Sequence, residues 1–182
     1  MADFFEARLV DSLAAIQPGG SNSWTAITSH PGISGQNIQV ENLIVPEDTL
    51  IVYVGGRDLG GSLAVAGPGG YSANGFPSFL NTLSARGQAG ALNSTSEISD
   101  FAPWGGVIIF NTSYSWNFQT AVSGEGSAFD FVATALHEFC HVLGVGTAES
   151  WDNQINQDNF FTGPLSVASF GGPVPVESNW GH

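Results

Sequence analysis

Lysine is missing from this sequence, and positive charge of any kind is scarce. Three arginines stand against sixteen acidic residues, which gives a formal net charge of −13. Nucleic acids and anionic membrane surfaces are bound by basic patches, so this balance argues against both as partners. No apolar run approaches the length of a membrane span. The single cysteine, Cys140, excludes an internal disulfide, which fits a cytosolic protein or a secreted one without disulfides.

The residues that are present indicate one folded domain. Hydrophobic residues make up 42% of the chain and the acids are dispersed, so the composition is not that of a disordered protein. A length of 182 residues suits a single domain with a sizeable core. The opening MADFFE lacks the basic region and apolar core of a signal peptide. Either the protein stays inside the cell, or a signal has been removed.

The strongest chemical signal is the segment FVATALHEFCHVLGVG at residues 131–146. It contains the pattern H-E-x-x-H as His137, Glu138 and His141. Residues four apart lie on one face of a helix, so both imidazoles can point at a single metal ion. Zinc suits that position because it binds neutral imidazole at about 2.0–2.1 Å. Glu138 is angled away from the metal axis and is predicted to be a general base rather than a ligand.

The flanks of this segment predict a helix. Ser127 and Asp130 form a capping-box pattern at its start, and Gly144 and Gly146 end it. Apolar residues at helical spacing predict the buried face: Phe129, Val132, Leu136, Phe139 and Leu143. The alternative is a core helix whose two histidines are merely hydrogen-bonded. That alternative leaves unexplained why two of only four histidines lie four apart around a glutamate.

The rest of the chain mixes helices and strands. A capping box at residues 3–6 predicts a first helix that ends before Pro18, and Pro77 opens a second helix that reaches Arg86. Strands are predicted at 38–45, 50–54 and 106–111, the second of them covered on both faces. Residues 19–36 are expected to be irregular apart from a short strand near Trp24, with His30 solvated.

Two further segments are candidates for binding. The glycine-rich residues 55–75 predict a long loop that is functional or stabilised by an ion. Asp58 in this loop is a candidate ligand for a structural Ca²⁺ ion, with an ion pair to Arg57 or plain solvation as the alternative. The strand at 106–111 is a candidate edge strand that binds a peptide by backbone pairing, and the alternative is an ordinary inner strand.

With His137-Glu138-x-x-His141-x-x-Gly144 in place, the chain resembles the metzincin clan of zinc endopeptidases. That clan places a third histidine three residues after the glycine, where this chain has Thr147. The run HVLGVGTAESW is similar to leishmanolysin-type and related bacterial secreted metallopeptidases, in which an insertion precedes the third histidine. The resemblance implies that His182, at the end of VPVESNWGH, is the third zinc ligand. It also implies a zincin-like fold and secretion after removal of a signal.

The chain also departs from the metzincin pattern. Metzincins carry a methionine turn after the third ligand, and Met1 is the only methionine here. We therefore expect one zincin-like catalytic domain over 1–182 that is truncated near its site. Residues 1–146 would form its N-terminal subdomain with the zinc helix, and 147–182 the start of a C-terminal subdomain.

Three other side chains are alternatives to His182 as the third ligand. Glu149 and Asp152 come soon after the helix, although loop acids on a solvated turn are the simpler interpretation. Cys140 lies near the metal face, but such a cysteine is more often a small buried hydrophobe.

Together these features predict an α+β fold, in which helices pack on a twisted mixed β-sheet. The predicted function is zinc-dependent hydrolysis of peptide bonds, with a peptide or protein as the substrate. One alternative is a truncated peptidase domain that binds zinc without activity. The other is a non-catalytic binding or adhesion module, whose surface would use the five tryptophans and the glycine-rich loops.

Overall fold

The computed structural model describes Phe5 and residues 12–86, 101–119 and 128–177. Within these ranges the chain is a mixed α+β structure of small sheets and four helices. The strands are β1 (Ser23–Ser29), β2 (Asn37–Glu41), β3 (Ile51–Arg57), β4 (Ala64–Pro68), β5 (Gly70–Asn74), β6 (Gly105–Asn111), β7 (Trp116–Asn117), β8 (Phe129–Asp130), β9 (Phe160–Phe161) and β10 (Val174–Pro175). The helices are α1 (Pro77–Ala85), α2 (Phe131–Val142), α3 (Glu149–Asp152) and α4 (Pro164–Phe170).

The first sheet has the antiparallel order β2-β1-β5 and lies beside α1. Its central strand β1 alternates, with Trp24, Ala26 and Thr28 buried. The prediction of irregular chain over 19–36 with a short strand near Trp24 is therefore confirmed, since β1 is the one strand in this segment and it contains Trp24. The hydrophobic core that includes residues of β1 and α1 consists of Ile16, Trp24, Ala26, Val45, Phe79, Leu83 and Trp104.

The second sheet has the order β3-β6-β4, with β3 parallel and β4 antiparallel to β6. All seven residues of β6 are buried, as expected of a strand paired on both sides and covered on both faces. The edge-strand prediction for 106–111 is thus wrong, and the inner-strand alternative is confirmed. The prediction that the strand at 50–54 is covered on both faces is also wrong, since Val54 is 58% exposed and β3 is an edge strand among the strands that the structure describes.

The glycine-rich residues 55–75 form strands rather than one long loop. This segment contains the end of β3 and all of β4 and β5. Some of its glycines permit close packing: a Cβ built on Gly69 would lie 2.1 Å from the Trp104 ring. Gly106 on β6 has the same role, because a Cβ there would lie 2.2 Å from the Gly67 carbonyl oxygen.

Helix α2 packs on the second sheet. The core between them is made by Ala64, Ile108, Phe110, Ala135 and Val142, with Phe131 and Phe139 partly buried against it. The predicted buried face is therefore misplaced: Phe129 is 40% exposed, while the most buried helical residues are Ala135, Glu138, His141 and Val142. A small alanine lets the helix approach the sheet, and hydrophobicity alone did not reveal it.

A buried arginine ties the start of the chain to the rest. Arg86 is 1% exposed and donates hydrogen bonds to the carbonyl oxygens of Ala14, Pro46 and Thr49. Burial lowers the pKa of its guanidinium, and the charge of Asp48 opposes that shift. The segment so held, residues 12–17, is not helical.

The first predicted helix is therefore wrong at its end, because Ile16 forms a β-bridge with Val45 instead. Most of that helix, including residues 6–11, lies outside the described residues. The second predicted helix is confirmed as α1. No helix in the described part of the chain is both long and apolar enough to cross a membrane.

Candidate metal centre

Helix α2 carries the histidine motif and has defined ends. Its N-cap is Asp130, whose side chain accepts a hydrogen bond of 2.9 Å from the Ala133 amide. The prediction of Ser127 as the N-cap is therefore wrong, because Phe129 and Asp130 form β8 and the helix begins only at Phe131. After Val142 the chain turns sharply, with φ of +100° at Gly144 and +68° at Gly146. Both angles are in the left-handed region that favours glycine, so this part of the prediction is confirmed.

The two histidines of the motif converge. Their rings are 4.9 Å apart between centroids and nearly perpendicular, at 84°. The Nε2 atoms of His137 and His141 lie 3.2 Å apart. Two imidazole nitrogens at 2.0–2.1 Å from a tetrahedral zinc ion would be separated by about 3.3 Å. The spacing of the two nitrogens therefore suits ligation of one zinc ion.

His141 is held in the orientation that ligation needs. Its side chain is buried, and its Nδ1 atom lies 2.7 Å from the Val145 carbonyl oxygen. Because a carbonyl oxygen only accepts hydrogen bonds, Nδ1 carries the hydrogen, and the lone pair of the neutral ring is on Nε2. A backbone carbonyl on the far nitrogen is a common outer partner of metal-binding histidines.

Glu138 borders the same cleft as His137. The cleft has a volume of about 690 Å³, and its walls are β4 with the two residues before it on one side and α2 on the other. Its lining residues are Ser62, Leu63, Ala64, Val65, Ala133, Thr134, His137 and Glu138. Glu138 is 4% exposed; burial raises the pKa of its carboxyl group, and the nearby His141 acts in the opposite direction. A buried carboxyl beside a histidine pair is a suitable proton acceptor.

The described residues do not identify a third ligand. Within those ranges, no group of three or more His, Cys, Asp or Glu side chains is arranged to hold a metal ion. His182, the predicted third ligand, lies outside them. Glu149 and Asp152 are exposed on α3. The donors that the structure describes thus fit two of the positions around a zinc ion.

Cys140 and Thr147 lie close to the pair in sequence. The Cys140 side chain is only partly buried, which corrects the expectation of a buried hydrophobe, and burial raises the pKa of its thiol. Thr147 is the residue that stands where the resemblance to metzincins predicts a histidine ligand. Its hydroxyl donates a hydrogen bond of 2.7 Å to the carbonyl oxygen of His141.

The other candidates have local roles. Nδ1 of His30 accepts hydrogen bonds of 3.0 Å from two backbone amides, so this histidine orders a turn rather than being simply solvated. Asp58 accepts one of 2.8 Å from the Gly60 amide. Arg57 donates instead to the carbonyl oxygens of His30 and Ile33, so the alternative of an Asp58–Arg57 ion pair is not seen within the described residues. Calcium binding at Asp58 stays a prediction.

Sequence reasoning missed two parts of this site. One is β4 as the opposite wall of the cleft, for which the apolar run Leu63–Ala66 was a usable signal. The other is the Val145 carbonyl that orients His141, which no side-chain pattern reveals because it belongs to the backbone. Comparison of the chain with protein-family models, curated proteins and solved structures finds no match.

Proposed function

We propose that this protein is a zinc-dependent endopeptidase with a zincin-like domain. The observation that carries the proposal is the 3.2 Å separation of the His137 and His141 Nε2 atoms. Beside them, a buried Glu138 lines a cleft of about 690 Å³. The volume is within the range of sites that enclose a small ligand or part of a peptide. His182 completes the ligand set in this proposal, and the protein acts outside the cell.

The protein's own groups divide the chemistry between binding and proton transfer. Zinc, when bound, would polarise the scissile carbonyl and lower the pKa of water toward about 7. Glu138 takes the proton of the attacking water and passes it to the leaving amine. His137 and His141 would hold the ion, and the hydrogen bond to the Val145 carbonyl fixes the ring of His141.

Strand β4 offers the substrate a backbone to pair with. It is an edge strand of the β3-β6-β4 sheet among the described strands, and it forms the wall of the cleft opposite Glu138. An extended peptide added to such an edge gains main-chain hydrogen bonds largely independent of its sequence. This role replaces the one first expected of 106–111. It favours peptides in extended conformation over folded substrates.

The test compares the parent with Glu138→Gln, which keeps the size of the side chain and removes the base. Glu47→Gln is the matched control, since it neutralises an exposed acid away from the cleft. Zinc content and hydrolysis of an unfolded protein substrate are measured for all three. We expect about one zinc in each, and a rate lower by roughly 10²–10⁴ in Glu138→Gln alone.

Two outcomes would contradict the proposal. A Glu138→Gln protein as active as its parent would mean that the carboxylate is not the base. A zinc-loaded parent that releases no new amino termini would favour the alternative of a zinc-binding domain without activity.

A further inference from the structure

We propose that Thr147 is the positioning residue of this metal centre, acting through the backbone on the ring of His141. The inference rests on the proposed zinc site. Thr147 stands where the resemblance expected a ligand, and its hydroxyl is committed to another partner. That partner is the His141 carbonyl oxygen, at 2.7 Å.

The backbone carbonyl and the imidazole ring of His141 both form hydrogen bonds with the short segment 145–147. Its carbonyl oxygen accepts from the Thr147 hydroxyl, and its ring Nδ1 donates to the Val145 carbonyl at 2.7 Å. Gly146, between the two partners, has a φ of +68°. Its left-handed conformation turns the chain so that both neighbours face back to one residue. The segment and His141 thus form a closed loop of two hydrogen bonds.

This loop explains why the Val145 carbonyl is available to the imidazole. The segment lies past the end of α2, and its backbone hydrogen bonds to other described residues are local, among them one of 3.0 Å from the Val145 amide to the Cys140 carbonyl. Val145 and Thr147 are both exposed, so packing contributes little to fixing them. Without the Thr147 hydroxyl, the Val145 carbonyl would sample more orientations. The His141 ring would then lose the fixed acceptor that sets its tautomer and direction.

The proposal predicts a graded effect on the metal. Loss of an outer hydrogen-bond partner of a ligand typically weakens metal affinity by about 10–100-fold. Because Thr147 acts one step further out, we expect Thr147→Val to weaken zinc binding by roughly tenfold. Thr147→Ser keeps the hydroxyl and should restore affinity to within about threefold of the parent.

The experiment titrates the full chain with Zn²⁺ against a competing chelator, and records the absorption spectrum of the Co²⁺-substituted protein. Thr162→Val is the matched control, because Thr162 also donates a 2.7 Å hydrogen bond from an exposed loop position to a backbone carbonyl, that of Gln154. We expect only Thr147→Val to lose affinity and to change the Co²⁺ visible bands. Thr162→Val and Thr147→Ser should match the parent.

An additional measurement does not depend on a variant that folds. In the metal-free parent, ¹⁵N–¹H spectra of the imidazole should show His141 as the Nδ1–H tautomer. The opposite tautomer would overturn the proposal. The proposal would also be overturned if Thr147→Val had the same Zn²⁺ affinity and Co²⁺ spectrum as the parent. An equal loss of Zn²⁺ affinity in Thr147→Val and Thr162→Val would overturn it as well. If replacing His137 and His141 by alanine left zinc binding unchanged, the proposed function itself would be refuted.

Discussion

Replacing each motif histidine by alanine should separate ligation from folding, because the two side chains differ in burial. His141 is 7% exposed and donates to the Val145 carbonyl, whereas His137 is exposed in the cleft. In His141→Ala, the loss of one hydrogen bond lowers the free energy of unfolding by about 1 kcal/mol. The cavity left by the buried ring increases this loss to about 2–3 kcal/mol. In a chain of this length, that lowers Tm by about 5–10 °C.

The assay uses zinc titration and, separately, thermal unfolding of the metal-free protein in a chelator. Both variants should lose tight zinc binding. Only His141→Ala should also destabilise the metal-free protein by the stated amount, with His137→Ala close to the parent. Zinc retained by either variant would place the site elsewhere. Equal destabilisation of both metal-free variants would mean that the described burial difference has no energetic consequence.

Three further predictions concern residues around the site and in the core. In a chelator competition, His182→Ala should weaken zinc binding by about 10–100-fold, at least as much as the loss of a hydrogen-bond partner of a ligand does. Unchanged affinity would point to another third ligand. At pH 7, Cys140 should react with a thiol reagent at least roughly tenfold more slowly in the native protein than in urea. The reason is that burial raises the pKa of its thiol, and equal rates would contradict this. Arg86→Met should lower the free energy of unfolding, measured in urea, by about 2–4 kcal/mol. Three carbonyl groups lose their hydrogen-bond donor, which outweighs the removal of the cost of burying the charge. An unchanged midpoint of urea unfolding would contradict this stabilising role of Arg86.

The sequence identified the histidine pair because its chemistry is local. A spacing of four residues on one helix fixes the relative position of His137 and His141 without reference to the rest of the fold. Glu138 is adjacent to them, and the prediction that it acts as a base depends on the same local spacing. The mixed α+β class was also predicted correctly, since β-branched runs and helical spacing are local signals.

What the sequence did not reveal depends on long-range pairing. Strand β6 has the composition expected of either an inner or an edge strand, and only its pairing with β3 and β4 decides between them. The glycines of 55–75 suggested a loop, yet several of them permit close approach between β-strands or to Trp104. The buried face of α2 was misplaced because its most buried residues are Ala135, Val142 and two polar side chains, none of which belongs to the apolar set that the spacing selected.

The most direct test of the zinc site is a crystal structure of the zinc-loaded protein, with anomalous scattering recorded on both sides of the zinc edge. We predict one anomalous peak at about 2.0–2.1 Å from Nε2 of His137 and of His141. We also predict that the Nδ1 atom of His141 remains bonded to the Val145 carbonyl, and that the Glu138 carboxylate lies outside ligand distance. A peak elsewhere, or a map with no peak between the two imidazoles, would contradict these predictions.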